Sequence, residues 1–452
     1  MIKLDLEYIL YVRGGEKMKN LKKLLGMLIT SILVLSMVAC GNNVSSEGVN
    51  ASTSNKNNQT GKIYEGIEIV YWSNWEATEP QAQVIANAVA EFEEETGAIV
   101  DLQFKGRNAI KSRLIPAFEL GQEVDLFDGA GNKSSFEAYL MDVEELIAST
   151  GYEETGNEAM LTLCRSYYSD GKAREIPYQM KGNGVLYNKA LFRKAGIETV
   201  PTTWAEFEAI CQKLKSAGIT PMTTDDAYAP QAFGIHLARR LGTAKVQEVV
   251  TQGLWAETPE VLATAQDFAA LASMGAFSST TATNTFPAGQ NTEFATGKVA
   301  MYVCGTWLPN EIRSITGDSF EWGFFNYPEV EGGINGLEAM VVGCQSFGIT
   351  NMCENPEVAF ALVEKITRGE WDAKMAESTL GLPIDKANTE WPVQLMDAKP
   401  YFDACTEIFA VSGGLESNAN IGPVLKNNLL KLYAGQISAQ EFVNNMEDAS
   451  QN

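Results

Sequence analysis

The sequence predicts an α/β protein with an open sheet, its chain divided into two lobes. Two observations predict it. Short apolar strands alternate with amphipathic helices from residue 67 onward, and such alternation implies parallel β-α-β units. The chain is also long: roughly 410 of its residues lie from Cys40 onward, more than one ordinary core accommodates.

Ile67-Glu68-Ile69-Val70-Tyr71-Trp72 reads as a strand. Gln81 to Thr96 has helical periodicity through Val84, Ala88, Val89 and Phe92, and Gly97 stops it. Ile99 to Phe104 alternates as a second strand, and Lys111 to Leu120 is a short helix ended by Gly121. Val124 to Phe127 is a third strand running into Asp128-Gly129-Ala130-Gly131. Ile176 to Tyr178 and Gly184 to Asn188 bracket a crossover. Thr203 caps a helix from Trp204 to Ala217, and Glu206 completes a capping box. Pro259 to Met274 is a further helix, and Val299–Val303, Trp322–Phe325 and Met340–Ile349 are strand-like. From Pro356 the chain turns mostly helical, over Glu357–Thr367, Trp371–Ser378 and Val424–Ala434.

The first 39 residues read as a signal segment. Lys19, Lys22 and Lys23 precede an apolar run, Leu24 to Ala39, that is shorter than a membrane-spanning helix. The run ends in Met37-Val38-Ala39-Cys40-Gly41, which looks like a bacterial lipobox with Met in place of the usual Leu. Cleavage would leave Cys40 to carry a diacylglycerol anchor. Met18 is the expected start, because Asp5, Glu7 and Glu16 interrupt the preceding stretch. Peptide masses covering residues 1–17 in cellular protein would refute that. Residues 40–61, rich in Asn, Ser, Thr and Gly, read as the lipidated Cys and a flexible tether.

The formal net charge is −23. Such acidity argues against nucleic acid as a partner, since that needs a basic face. It also favours a lipid over electrostatics as the membrane anchor. The six cysteines after Cys40 are too sparse for a disulfide scaffold; most read as small buried apolar residues, and one or two bridges stay open. His236 is the only histidine, which removes His-based triads and H-E-x-x-H zinc sites and leaves His236 a structural reading. There is no Walker A segment, and Gly129-Ala130-Gly131-Asn132-Lys133 lacks the third glycine of a dinucleotide loop. No metal, no cofactor and no enzyme activity are expected. A glycosidase, which needs only two carboxylates, stays open.

Several segments together resemble the extracellular solute-binding protein family 1, the carbohydrate group that includes maltose-binding proteins. They are Leu186-Tyr187-Asn188-Lys189-Ala190-Leu191-Phe192-Arg193-Lys194-Ala195-Gly196-Ile197, Pro201-Thr202-Thr203-Trp204-Ala205-Glu206-Phe207, Ala217 to Pro221, Phe294 to Met301 with Gly305-Thr306-Trp307, and Ile437 to Glu441. The ordered set spans residues 64–448. The resemblance implies a two-lobe, periplasmic-binding-protein-like fold with a three-crossing hinge and a central ligand cleft. By analogy the crossings fall near Tyr178–Gly182, Val342–Gln345 and Gly381–Asp385. The expected division is N-lobe over 62–178 and 343–382, C-lobe over 179–342 and a helical 383–452.

A sugar site needs an aromatic plane to stack on and polar groups for the hydroxyl rim. Trp307 stands at the family's stacking tryptophan, and Tyr187 matches a cleft tyrosine or packs in the core. Trp75 and Glu76 follow the first strand, where a cleft opens; Trp72 is then core and Trp75 faces ligand. Asp128 and Asn132 sit in the Gly-rich loop, or form a plain turn. Tyr178 and Gln179 lie at the first crossing. Asp226 and Tyr228 occupy a position where the family often puts an acid and an aromatic. With only Lys133 and Lys181 near these loops, a neutral oligosaccharide is the expected ligand. The resemblance thus implies a monomeric lipoprotein on the outer face of the bacterial cell membrane, handing a sugar to ABC permease subunits. A lipid-anchored glycosidase and a sensor or adhesin without transport are the alternatives.

Overall fold

Nine strands among the described residues, numbered in chain order, join in a single mixed sheet, ordered β2-β1-β3-β8-β4-β6-β5, with β7 added to β4 and β9 to β8. The computed structural model describes residues 61–129 and 133–451, without the side chains of Lys133 and Ser134. The signal segment, the start at Met18, Cys40 and its tether up to residue 60, and Asn132 all lie outside the described residues.

The N-terminal part follows the strand–helix alternation. β1 (Glu68–Ser73) pairs in parallel with β2 (Ile99–Phe104) and β3 (Leu126–Asp128). Between them run α1 (Pro80–Thr96), ended by Gly97 at φ +79°, and α2 (Arg107–Glu119). The period of two in β1 sends Tyr71 and Trp72 to opposite faces. Tyr71 packs with Val84, Ile85, Val89 and Phe92, and Trp72 packs with Ile110, Leu114, Phe118 and Phe127.

The second half repeats the logic with antiparallel strands. β4 (Glu175–Asn188) pairs antiparallel with β6 (Val299–Gly305), β7 (Trp322–Phe325) and β8 (Ala339–Ile349). β5 (Thr220–Thr223) runs parallel to β6, and β9 (Glu407–Phe409) parallel to β8. Val185 and Met301 face one core with Trp204, Phe207, Phe233 and Phe268; Leu186 and Tyr302 face another with Phe294, Trp322 and Phe324. The helix Trp204–Ser216 has the expected capping box: Glu206 N donates to Thr203 Oγ1 at 3.3 Å and Thr203 N to the Glu206 carboxylate at 3.1 Å.

β4 corrects one expectation. The two pieces read as flanking a crossover are one 14-residue strand. Gly182 and Gly184, which look like breaks, are instead close approaches: a Cβ there would lie 2.6 Å from the Phe402 ring and 2.3 Å from that of Phe324. The β4–β8 register shifts between Tyr178 and Met180, and Met180 also bridges Leu382. Three chain segments therefore run side by side where the two sets of cores meet. Among the described residues, the two non-glycines at positive φ, Gln179 and Leu380, both at +47°, sit at this junction.

No disulfide joins the described cysteines; Cys164 and Cys344 meet thiol to thiol at 3.8 Å. No described helix is long and apolar enough to cross a membrane, and no described group of His, Cys, Asp and Glu is placed to hold a metal ion. His236 is buried, with Nε2 2.9 Å from Asp267 and Nδ1 3.2 Å from the Tyr327 hydroxyl.

Candidate functional site

A cavity of about 250 Å³ opens over the junction of the three segments. Trp75, Glu79, Gln81 and Arg107 wall it from the N-terminal part; Thr306, Trp307, Asn310 and Glu311 wall it from the other. Gln179, Met180, Lys181, Gln345, Thr379 and Gly381 form its junction wall.

Trp75 leaves β1 at its C-terminal end, where an α/β sheet exposes its loops. Its indole Nε1 donates to the Tyr178 hydroxyl at 2.9 Å, and Tyr178 donates to Asp128 at 3.2 Å. Asp128 also accepts from the Tyr71 hydroxyl at 2.5 Å, from Asn74 N at 3.2 Å and from the Asn74 amide. Burial raises the Asp128 pKa, and these donors oppose the rise by favouring the carboxylate. The Arg107 guanidinium lies 4.6 Å from the Trp75 ring centroid and forms a bidentate pair with Glu79 at 2.7 and 2.9 Å.

Trp307 follows β6 and starts α3 (Leu308–Thr316). Its Nε1 donates to the Tyr228 hydroxyl at 2.7 Å. Tyr228 packs edge-on against Tyr302 at 5.4 Å, and Tyr302 donates to Asp225 at 2.7 Å. One turn along α3, Asn310 and Glu311 share the Trp307 wall. Glu311 is exposed to the cavity, yet the walls strip part of its hydration and push its carboxyl up to about 7.

Two amide oxygens in the walls, Gln81 Oε1 and Asn310 Oδ1, are buried without a hydrogen-bond partner. Buried acceptors are nearly always satisfied, so two orphaned oxygens on residues that line one cavity are unusual there. Gln179 donates to Thr379 Oγ1 at 2.7 Å, which holds the strained bulge residue against the last helix before the third segment.

Of the residues singled out in the sequence, the structure brings Trp75, Gln179 and Trp307 to this cavity. Tyr178, Asp128 and Tyr228 lie behind it as hydrogen-bond supports for the two tryptophans. Glu76 is outside and exposed, because the turn after Trp75 carries it away; its place is taken by Glu79. Tyr187 is also outside, packed on Phe192 and Phe325 at 4.3 and 5.7 Å, because β4 alternation points it at the core. Asp226 sits beside the site and accepts from Phe286 N at 2.9 Å. Sequence reasoning missed Glu79, Gln81, Arg107, Asn310 and Glu311. The last two carried a signal: they stand three and four residues after Trp307, on the same helical face.

The sequence matches the model of the bacterial extracellular solute-binding proteins over residues 74–371. It is 24% identical over 235 residues to a Brucella abortus protein named as a binding protein, covering 48% of this chain and 52% of that one. It is 25% identical over 186 residues to the diacetylchitobiose binding protein of Streptomyces coelicolor, 41% of each chain. The chain thus spans about half the length, or less, of these curated relatives. In structure it resembles a chitin oligosaccharide binding protein with a TM-score of 0.68, at 18% identity, over 85% of this chain and 98% of that one. The match covers well over half of the sequence, and the two-lobe architecture agrees with it: the chain belongs to the bacterial extracellular solute-binding protein family.

Proposed function

We propose that this protein captures a sugar in its inter-lobe cavity, closes on it, and delivers it to the permease of an ABC importer. The observation that carries the reading is the pairing of Trp75 and Trp307 from opposite sides of one cavity whose walls hold two unpartnered amide oxygens. Indoles suit sugar ring faces, and amide oxygens accept from hydroxyls. The sugar-binding names of similar proteins support the same reading. Arg107 joins Lys181 in the wall, paired there with Glu79, so the wall by itself does not choose between a neutral and an anionic sugar.

The chain acts as a monomeric lipoprotein, anchored through Cys40 on the outer face of the cell membrane. Cys40→Ser should release it from membranes, and fatty-acid labelling that persists in that variant would contradict the anchor.

The protein is a binder rather than an enzyme. A thermal-shift screen over mono-, di- and oligosaccharides tests this, because a ligand at a hundredfold excess over Kd adds about 2.7 kcal/mol. No shift with any sugar would sink the reading. Reducing ends released during the same incubations would favour a glycosidase. Sugar binding without capture of permease subunits would favour a sensor or adhesin.

A further inference from the structure

The cavity between the tryptophans continues past Arg107. A second chamber of about 530 Å³ adjoins it, and the two share Arg107, Lys181 and Gln345 as walls. Among the described residues, three cations line the second chamber, from two separate elements. Lys181 comes from β4 at the junction. Arg107 and Lys111 come from the first turns of α2, four residues apart and so on one face.

The carboxylates nearby are fewer in that chamber. Glu416 lines it and accepts from the Ser412 and Gly414 backbone N–H groups, both at 3.2 Å. Glu79 and Glu311 line the first chamber, and Glu79 is engaged by Arg107.

The two helical cations break local rules. The N-terminus of a helix carries positive partial charge and favours acids, yet the first turn of α2 has none and Gly106 supplies no side-chain cap. Like charges four apart on a helix also repel. In a chain with 57 acidic and 34 basic residues, composition does not force cations there. The Glu79 carboxylate compensates Arg107 at the helix start, whereas Lys111, past the first turn, lines the chamber with no ion pair to a described carboxylate.

We infer that the second chamber binds an anionic group on the ligand, a carboxylate or a phosphate carried by the sugar. The inference rests on the cavity being the sugar site. The negative charge of the whole chain repels such a ligand at long range, and Lys111 and Lys181, with the Glu79-paired Arg107, offer it donors within the chamber.

Matched pairs test it by calorimetry on the full mature protein: galactose against galacturonic acid, and galactobiose against digalacturonic acid. Glucose 1-phosphate and inorganic phosphate form a second arm. The expected result is at least tenfold tighter binding of an acidic member than of its neutral partner, weakening as salt rises. Lys111→Gln should reduce that acid-to-neutral preference about fivefold or more. Arg113→Gln removes a charge from the same helix outside this chamber and should leave the preference intact. Preference for glucose 1-phosphate over the uronates supports the anion site and assigns it to phosphate. Neutral sugars binding as well as their acidic partners would overturn the inference while leaving sugar capture standing. Equal loss of preference in both variants would also overturn it. Binding of other sugars in the thermal screen but of none of these acidic probes would overturn the inference alone, and binding of no sugar at all would overturn both.

Discussion

The two tryptophans of the cavity are held differently. Trp75 is almost fully buried, at 3% exposure, and its indole is the first link of a relay through Tyr178 to the buried Asp128. A guanidinium also lies over its ring. Trp307 is only half-buried and has one anchor, the Tyr228 hydroxyl, which belongs to a hydrogen-bonded and aromatic patch rather than to a carboxylate relay. The contrast assigns them different work. On the proposed sugar reading, Trp75 would be a rigid platform that is also part of its lobe's core, and Trp307 a platform with freedom to settle on a ligand.

Substitutions can break or sharpen that contrast. The largest effect is expected from Asp128→Ala, which strands Tyr71, Tyr178 and Asn74 without their acceptor. It should destabilise the protein by about 3 to 5 kcal/mol, read as a drop in denaturation midpoint at unchanged slope. A change within about 0.5 kcal/mol would mean that the relay is dispensable. Trp75→Ala should cost stability and affinity together, the stability part being about 3 to 5 kcal/mol for a core tryptophan. Trp307→Ala should chiefly cost affinity, by roughly 1 to 3 kcal/mol or 5- to 150-fold. If a sugar shifts the melting point of wild type and Trp307→Ala equally, Trp307 is a packing residue.

Tyr228→Phe removes the acceptor of the Trp307 indole and keeps the ring. It should weaken sugar binding by about 0.5 to 1.5 kcal/mol, and ligand-induced tryptophan fluorescence should broaden or shrink. The smallest effect concerns Glu311. In the folded chain it holds its proton up to about 7, against about 4.5 for the usual side chain. The folded state then binds more protons between those values, so this group lowers stability as pH rises from about 5 to 7. Melting curves of Glu311→Gln should lose that part of the decline, below about 1 kcal/mol because cavity water screens the group. Parallel pH profiles for variant and wild type would show that the carboxyl is not perturbed.

Much of the fold was legible because the local patterns were strong. Gln81–Thr96 and Trp204–Ala217 had both periodicity and end signals, and the helices lie within a residue or two of those bounds. The sequence reads β4 in two pieces because glycine marks a break locally, whereas here neighbouring rings demand it. The tryptophans were legible from position after a strand. Their supports were named too, but as ligand contacts, since a sequence does not say whether a tyrosine faces a cavity or a buried acid. Glu79 and Arg107 were not legible, because they meet only when α1 and α2 pack beside β1. Glu76 and Tyr187 show the converse: residue type and neighbourhood fit, and one step of backbone geometry points them elsewhere.

The central claim is that one ligand is held between the lobes by both tryptophans, so that binding and closure are a single event. Small-angle X-ray scattering during a titration with the strongest sugar from the thermal screen tests it most directly. The account predicts a radius of gyration that falls as sugar is added and saturates with the calorimetric binding curve, with the fall lost in a Trp75→Ala/Trp307→Ala double variant that stays folded. Saturable sugar binding with an unchanged radius of gyration would contradict it.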